Sequence, residues 1–188
     1  MLTIAWDVDD VLNECMDIWF ENWRRKHPHL NLKYEDLKEN PPHKILGISK
    51  EKYLTSLDEF RLSFYKKMPP LFEVKQWFLK KGKFFRHLAV TAVPLNLAHI
   101  SGEWVLRHFG NWIRIFCVVP SLRRGVKSLK YDKNKKEFFR WFSKVDIFID
   151  DNETNIQECE KLGIKCILFP RPWNQNRLTI KETLAMIG

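Results

Sequence analysis

Two turns rich in carboxylates interrupt this 188-residue chain where chemistry is easiest to imagine. The apolar run Leu2-Thr3-Ile4-Ala5-Trp6 ends in Asp7-Val8-Asp9-Asp10, and the run Ile147-Phe148-Ile149 ends in Asp150-Asp151. Each run has strand length, so each set of acids falls at a strand's carboxyl end. Burying such acids together is costly unless a cation neutralises them. Mg²⁺, which takes oxygen ligands, suits that task. Asp7 and Asp9 lie two positions apart and point the same way at the end of an extended strand. One carboxylate can attack a phosphorus atom while the other handles the leaving group's proton. The chemistry to expect is metal-assisted phosphoryl transfer with an aspartate as the attacking group.

Thr91 ends a third apolar run, Leu88-Ala89-Val90. Its hydroxyl and the backbone amides that follow, starting with Ala92, can hold a phosphate oxygen. The competing reading is a buried threonine bonded to its own backbone. Lys136 stands near the start of a helix that precedes the second acidic turn. A lysine there reaches a phosphate and damps repulsion among the acids. It is one of four in a short stretch with Lys130, Lys133 and Lys135, and Lys136 is preferred over Lys133 without excluding it. Cys15, Cys117, Cys159 and Cys166 lack paired metal-ligand spacing and read as reduced thiols. His27 and His29 flank Pro28, as in a surface loop.

These groups need a frame. Strands are expected at 2–6, 88–91, 112–119, 146–149 and 165–169. Helices are expected at 96–109, through residue 144, at 153–162 and at 179–187. The alternation implies an α/β fold. It is a three-layer α/β/α sandwich around a five-stranded parallel Rossmann-like sheet of order 3-2-1-4-5. Strands one and four are then neighbours at the switch point, where ligands bind beyond the strands' carboxyl ends. Both acidic turns meet there. Residues 15–26, 50–65 and 70–81 are helical in pattern, with Ser49 a fitting N-cap. They interrupt the alternation as a largely helical insertion after the first strand. Its many Trp and Phe residues serve either as its own core or as a stacking surface for a base.

The 45% hydrophobic share supports a packed core, and no apolar run approaches the ~20 residues that cross a bilayer. No basic region followed by an apolar signal segment opens the chain, so a cytoplasmic protein is expected. The net charge of +9 suits an anionic partner or a solvated basic surface. Composition leaves the oligomeric state open.

Taken in order, Asp7-Val8-Asp9, Thr91, Lys136 and Asp150-Asp151 resemble the motif set of the haloacid dehalogenase superfamily. The resemblance covers about residues 1–13 and 84–172. It implies that Asp7 is the nucleophile that becomes an aspartyl phosphate. Asp9 is then the general acid/base and lends its carbonyl to Mg²⁺. Asp7, Asp150 and Asp151 serve the metal, and Thr91, Ala92 and Lys136 the phosphate. An aspartate at position 9 points to the phosphatases of the superfamily. The implied organisation is a core of residues 1–13 and 83–188 with a helical cap at 14–82. Phe169-Pro170-Arg171-Pro172-Trp173-Asn174 also looks like the tail of 5'(3')-deoxyribonucleotidases, which implies a nucleotide substrate. Superfamily members usually carry a small residue where Asp10 stands.

The leading expectation is a Mg²⁺-dependent phosphomonoesterase acting on (deoxy)nucleoside monophosphates or another small phosphorylated metabolite. Two alternatives stay open. The basic stretch from Arg123-Arg124-Gly125-Val126-Lys127 to Lys136 suits a phosphatase of nucleic-acid ends. A non-catalytic nucleic-acid-binding relative of the fold is the other, and the intact acidic set argues against it.

Overall fold

The computed structural model of the chain describes residues 1–123, 129 and 131–188. Strand β1 (Thr3–Trp6) is followed by helices α1 (Cys15–Arg25), α2 (Lys50–Phe64) and α3 (Phe72–Lys81). Then come β2 (Arg86–Thr91), α4 (Ala98–Phe109), β3 (Ile113–Val118), α5 (Lys135–Trp141), β4 (Ile147–Asp150), α6 (Glu153–Glu160), β5 (Lys165–Leu168) and α7 (Ile180–Ala185). The Arg124–Lys127 part of the basic stretch, and Lys130, lie outside the described residues.

Side chains alternate across a strand, and that alternation divides the core in two. Ile4, Trp6, Ala89, Ile147 and Ile149 face one hydrophobic cluster, while Ala5, Leu88, Val90 and Phe148 face the other. Helices α3, α4 and α7 contribute Val74, Trp77, Phe78, Trp104, Phe109 and Leu184 to the first. Helices α5 and α6 supply Phe138, Phe139, Ile156 and Cys159 to the second. The strands run in the order β3-β2-β1-β4-β5 with every neighbouring pair parallel, as the alternation of strand and helix required. β1 is central: Ala5 stands opposite Leu88 on one side and Phe148 on the other.

β2 begins earlier than expected, at Arg86, because His87 is buried rather than part of the loop. Its Nδ1 accepts from Trp6 Nε1 at 3.1 Å, and its Nε2 lies 2.7 Å from the Gly82 carbonyl. Trp6 also packs against Trp77 and Phe78, with ring centroids 5.3 and 4.8 Å apart. Helix α3 is thereby seated on the sheet.

The helix before β4 is shorter than its pattern suggested. Asn134 adopts an extended backbone, and its Oδ1 accepts from Glu137 N–H at 3.0 Å. That cap satisfies a donor the helix leaves open, so it sets the start at Lys135. Ser49 caps α2 in the same way, accepting from Lys52 N–H at 3.1 Å.

Helices α1 and α2 bury their aromatic residues against each other: Trp19 meets Tyr53 edge-on at 5.0 Å, and Trp19, Trp23, Tyr53 and Phe60 are all buried. These rings form the core of the insertion, although Tyr53 also borders the cavity beside Asp7. The chain leaves β1 and returns to α3 at one place, where Leu71 N–H donates to the Leu12 carbonyl at 2.9 Å. Among the described residues no helix is long and apolar enough to cross a membrane.

Candidate active site

Asp7 extends β1 by one hydrogen bond, its N–H donating to the Ile149 carbonyl at 2.9 Å. Asp150 is the last residue of β4. Pairing of the two strands therefore carries both carboxylates to the same edge of the sheet. Asp7, Asp150 and Asp151 are buried, and each places a carboxylate oxygen within 4.8 Å of the others. Residues remote in sequence thus meet where the strand order reverses.

Among the described residues, one cation pairs with this cluster. Lys135 Nζ lies 2.8 Å from Asp7 Oδ1 and 2.7 Å from Asp150 Oδ2. It occupies the first position of α5, fixed there by the Asn134 cap. The lysine chosen from sequence, Lys136, points away and pairs with Glu158 at 2.6 Å. Lys133 donates its backbone N–H to Glu137 at 2.9 Å. The correction follows from helix geometry. Neighbouring positions on a helix face different ways, so a start one residue earlier than assumed selects Lys135.

The carboxylates are held by short-range donors. Asp7 Oδ1 also accepts from Val8 N–H at 2.7 Å. Asp150 Oδ1 accepts from Asn152 N–H at 2.8 Å, and its Oδ2 from Asn155 Nδ2 at 3.0 Å. Asp151 Oδ2 accepts from the Trp173 indole at 2.7 Å. Asp10 takes φ +63°, a left-handed conformation that aspartate tolerates better than most residues. Its Oδ1 accepts from Met16 N–H at 2.8 Å. The aspartate is thus accommodated at a position where superfamily members usually carry a small residue. Arg171 braces the loop from behind, Nε to the Asp10 carbonyl at 2.6 Å and Nη2 to the Asn13 carbonyl at 3.2 Å.

Electrostatics show the cluster to be under-compensated. Burial, with added repulsion from Asp150 and Asp151 and opposition from Lys135, pushes the Asp7 carboxyl well above its ordinary range. Burial, followed by the charges of Asp150 and Asp10, pushes Asp151 up to about 8. Burial works against the charge of Lys135, but Asp150 and Asp7 outweigh it and hold the ammonium protonated. Among the described residues one ammonium pairs with two of these three buried carboxylates, which leaves room for a divalent cation that takes oxygen ligands. The donor set fits such an ion.

Asp9 faces the helical insertion. Its Oδ2 accepts from Arg61 Nη2 of α2 at 2.8 Å, and its Oδ1 takes the Tyr65 hydroxyl. Thr91 and Ala92, at the end of β2, line the same cavity of about 230 Å³ as Asp7, Asp9 and Lys135. The expected residues Asp7, Asp9, Thr91, Ala92, Asp150 and Asp151 are therefore brought together, and Lys136 is not. Lys135, Arg61, Tyr65, Trp173 and Asn155 complete the surroundings without having been singled out as site residues. Of the basic stretch, Arg123 pairs with Asp58 at 2.6 Å and Lys136 with Glu158.

No protein-family model matches the sequence, and no curated protein matches it either. Solved structures share the fold. A Thermotoga maritima protein assigned as a β-phosphoglucomutase has a TM-score of 0.62 at 15% identity, over 100% of this chain and 98% of that one. A haloacid dehalogenase-like family hydrolase from Streptococcus pneumoniae has 0.58 at 9% identity, over 89% and 84%. A haloacid dehalogenase-superfamily hydrolase of subfamily IA, variant 1, from Geobacter sulfurreducens has 0.55 at 12% identity, over 100% and 97%. At these identities the likeness is one of fold. The chain has the α/β fold of haloacid dehalogenase-type hydrolases, with the 3-2-1-4-5 parallel sheet.

Proposed function

We propose that the protein is a Mg²⁺-dependent phosphomonoesterase working through an aspartyl phosphate on Asp7. The observation that carries this reading is the convergence of Asp7, Asp150, Asp151 and Lys135 beside Asp9, Thr91 and Ala92 in one cavity. The fold agrees with it, since its neighbours include a protein assigned as a β-phosphoglucomutase and two haloacid dehalogenase-type hydrolases.

In this reading Asp7, Asp150, Asp151 and the Asp9 carbonyl hold Mg²⁺, which when bound neutralises charge on the phosphoryl group and the carboxylates. Val8 N–H and Lys135 both engage Oδ1 of Asp7, so Oδ2 is the oxygen left to attack phosphorus. The bond from Oδ2 to phosphorus forms as the bond from phosphorus to the ester oxygen breaks. Asp9 gives that departing oxygen its proton, then takes one from the water that hydrolyses the aspartyl phosphate. Thr91, the Ala92 amide and Lys135 hold the remaining phosphoryl oxygens, with Lys135 taking the part first given to Lys136.

Residues 14–82 act as a cap over this chemistry, with α2 presenting Tyr53, Leu54, Leu57 and Arg61 to the cavity. The substrate is a small phosphorylated metabolite. Nucleoside monophosphates are the narrower candidate, resting on the Phe169–Asn174 resemblance alone. The test is a Mg²⁺-supplemented screen of nucleoside monophosphates, sugar phosphates, aryl phosphates and phosphorylated oligonucleotide ends, run beside Asp7→Asn. Turnover in the wild type that the variant lacks is the expected result. Equal turnover rejects Asp7 as nucleophile, and oligonucleotide binding with no hydrolysis anywhere favours a non-catalytic binding protein.

A further inference from the structure

On the side of α2 and the segment after β3, the cavity holds a cluster of cations. Arg61 on α2 and Arg123 beyond β3 converge on one carboxylate, Asp58. Arg61 Nη1 donates to Asp58 Oδ1 at 3.0 Å. Arg123 donates to the same oxygen through Nη2 at 2.9 Å and to Oδ2 through Nε at 2.6 Å. Lys50, the first residue of α2, lines the same cavity. Arg61 and Arg123 thus share Asp58, while Arg61 also holds Asp9.

Arg61 is the unusual member. Its side chain is only 7% exposed, and its Nε has no acceptor among the described residues. An open donor on a buried guanidinium is costly, and guanidinium N–H pairs match planar or tetrahedral oxyanions.

A leaving-group oxygen that reaches Asp9 through the cavity competes with Arg61 for Oδ2. The Tyr65 hydroxyl is held from behind by Asn13 Nδ2 at 3.0 Å, whereas Arg61 lines the cavity. Arg61 is therefore the partner that Asp9 gives up. Once released, Arg61 keeps only a share of Asp58, which Arg123 already binds through both oxygens. Two guanidiniums on one carboxylate leave a site for an added anion.

Building on the phosphomonoesterase reading, we propose that Arg61 and Arg123 recognise a second anionic group on the leaving group of the substrate. Arg61 exchanges Asp9 for that anion, which couples recognition to the release of Asp9. The substrate class is a phosphomonoester whose leaving group carries a carboxylate or a second phosphate. A neutral leaving group, such as an unmodified nucleoside, gives Arg61 nothing to exchange for.

Three esters with a common ring test this: phenyl phosphate, 3-carboxyphenyl phosphate and 3-phosphonophenyl phosphate. kcat/KM is measured with Mg²⁺ for the wild type, Arg61→Gln, Arg123→Gln and the two Arg→Lys variants. The wild type is expected to favour an anionic ester over phenyl phosphate by about tenfold or more, through KM by recognition and through kcat by freeing Asp9. Each Gln variant should lower that ratio severalfold, and each Lys variant should retain part of it. The ratio is taken within one sample, so partial loss of folded protein cancels. A preference between carboxylate and phosphonate supports the proposal and assigns the anion. A wild type without preference, or a preference that survives both Gln substitutions, overturns it. If phenyl phosphate is hydrolysed in that case, the phosphomonoesterase reading still stands. If none of the esters that Asp9 and Asp7 should process is hydrolysed, both fall together.

Discussion

Lys135 Nζ lies 2.7 Å from Asp150 Oδ2, with the lysine side chain 3% exposed and the aspartate fully buried. The same nitrogen reaches Asp7, so one ammonium ties the end of β4 to the end of β1. Its neighbour Lys136 binds Glu158 in a far more open setting, 21% and 31% exposed. Consecutive lysines of one helix thus have opposite duties.

Removing Lys135 leaves buried carboxylates facing one another. Lys135→Met should lower unfolding free energy by about 3–5 kcal/mol without divalent cation, as when one member of a buried pair is lost. Lys136→Met should change it by less than about 1 kcal/mol, because solvent screens that pair. Urea unfolding at neutral pH with a chelator present measures both. Equal losses contradict the placement of Lys135.

Trp173 orients Asp151 through its indole N–H. A partner that fixes a ligand's orientation typically matters about 10–100-fold in metal affinity. Titrating Mg²⁺ should raise the melting temperature of the wild type, and Trp173→Phe should need about that much more Mg²⁺ for the same rise. Identical titrations would mean that Asp151 needs no such support, or holds no metal.

His87 makes stability depend on pH in a defined direction. Burial lowers its pKa, opposed by the bond to the Gly82 carbonyl. The neutral ring suits both partners, since Nδ1 accepts from Trp6. Folded protein therefore binds fewer protons here than unfolded protein, whose histidine titrates near about 6.5. The stabilising contribution is full above that value and is lost as pH falls through the lower, folded value. Unfolding free energy measured from pH 7 to 5 should drop more steeply in the wild type than in His87→Gln. Parallel profiles would remove His87 as the cause.

Asn134 caps the helix that delivers Lys135. Asn134→Ala should cost about 1 kcal/mol, the usual price of an N-cap. Asn134→Ser, which keeps a side-chain acceptor, should recover most of it. Thermal unfolding of the two variants beside the wild type decides the matter.

The residues legible from sequence were those tied to strand ends. Asp7, Thr91 and Asp150 each follow a short apolar run, and sheet pairing alone carries them to one edge. Lys135 was not legible in the same way, because four lysines between 130 and 136 show no periodicity that singles one out. The one usable signal was Asn134, a strong cap former immediately before it. Arg61 and Tyr65 stand four residues apart, the spacing of neighbours on one helix face. Their shared target, Asp9, lies more than fifty residues upstream, and no local pattern encodes that meeting. Trp173 and Arg171 stood out only as part of a tail motif, while their contacts with Asp151 and the Asp10 carbonyl arise from tertiary packing.

The single backbone bond between Leu71 and Leu12 gives the intervening chain a common doorway. Strand pairing on either side of that doorway is indifferent to how far the polypeptide wanders before it returns. Helices α1 and α2 are thereby exchangeable in principle for a longer, shorter or differently charged excursion without disturbing Asp7 and Asp150, whereas Asp9 and Asp10 rest on Arg61, Tyr65 and Met16. An altered excursion would reset the surroundings of Asp9 while the sheet edge keeps its geometry.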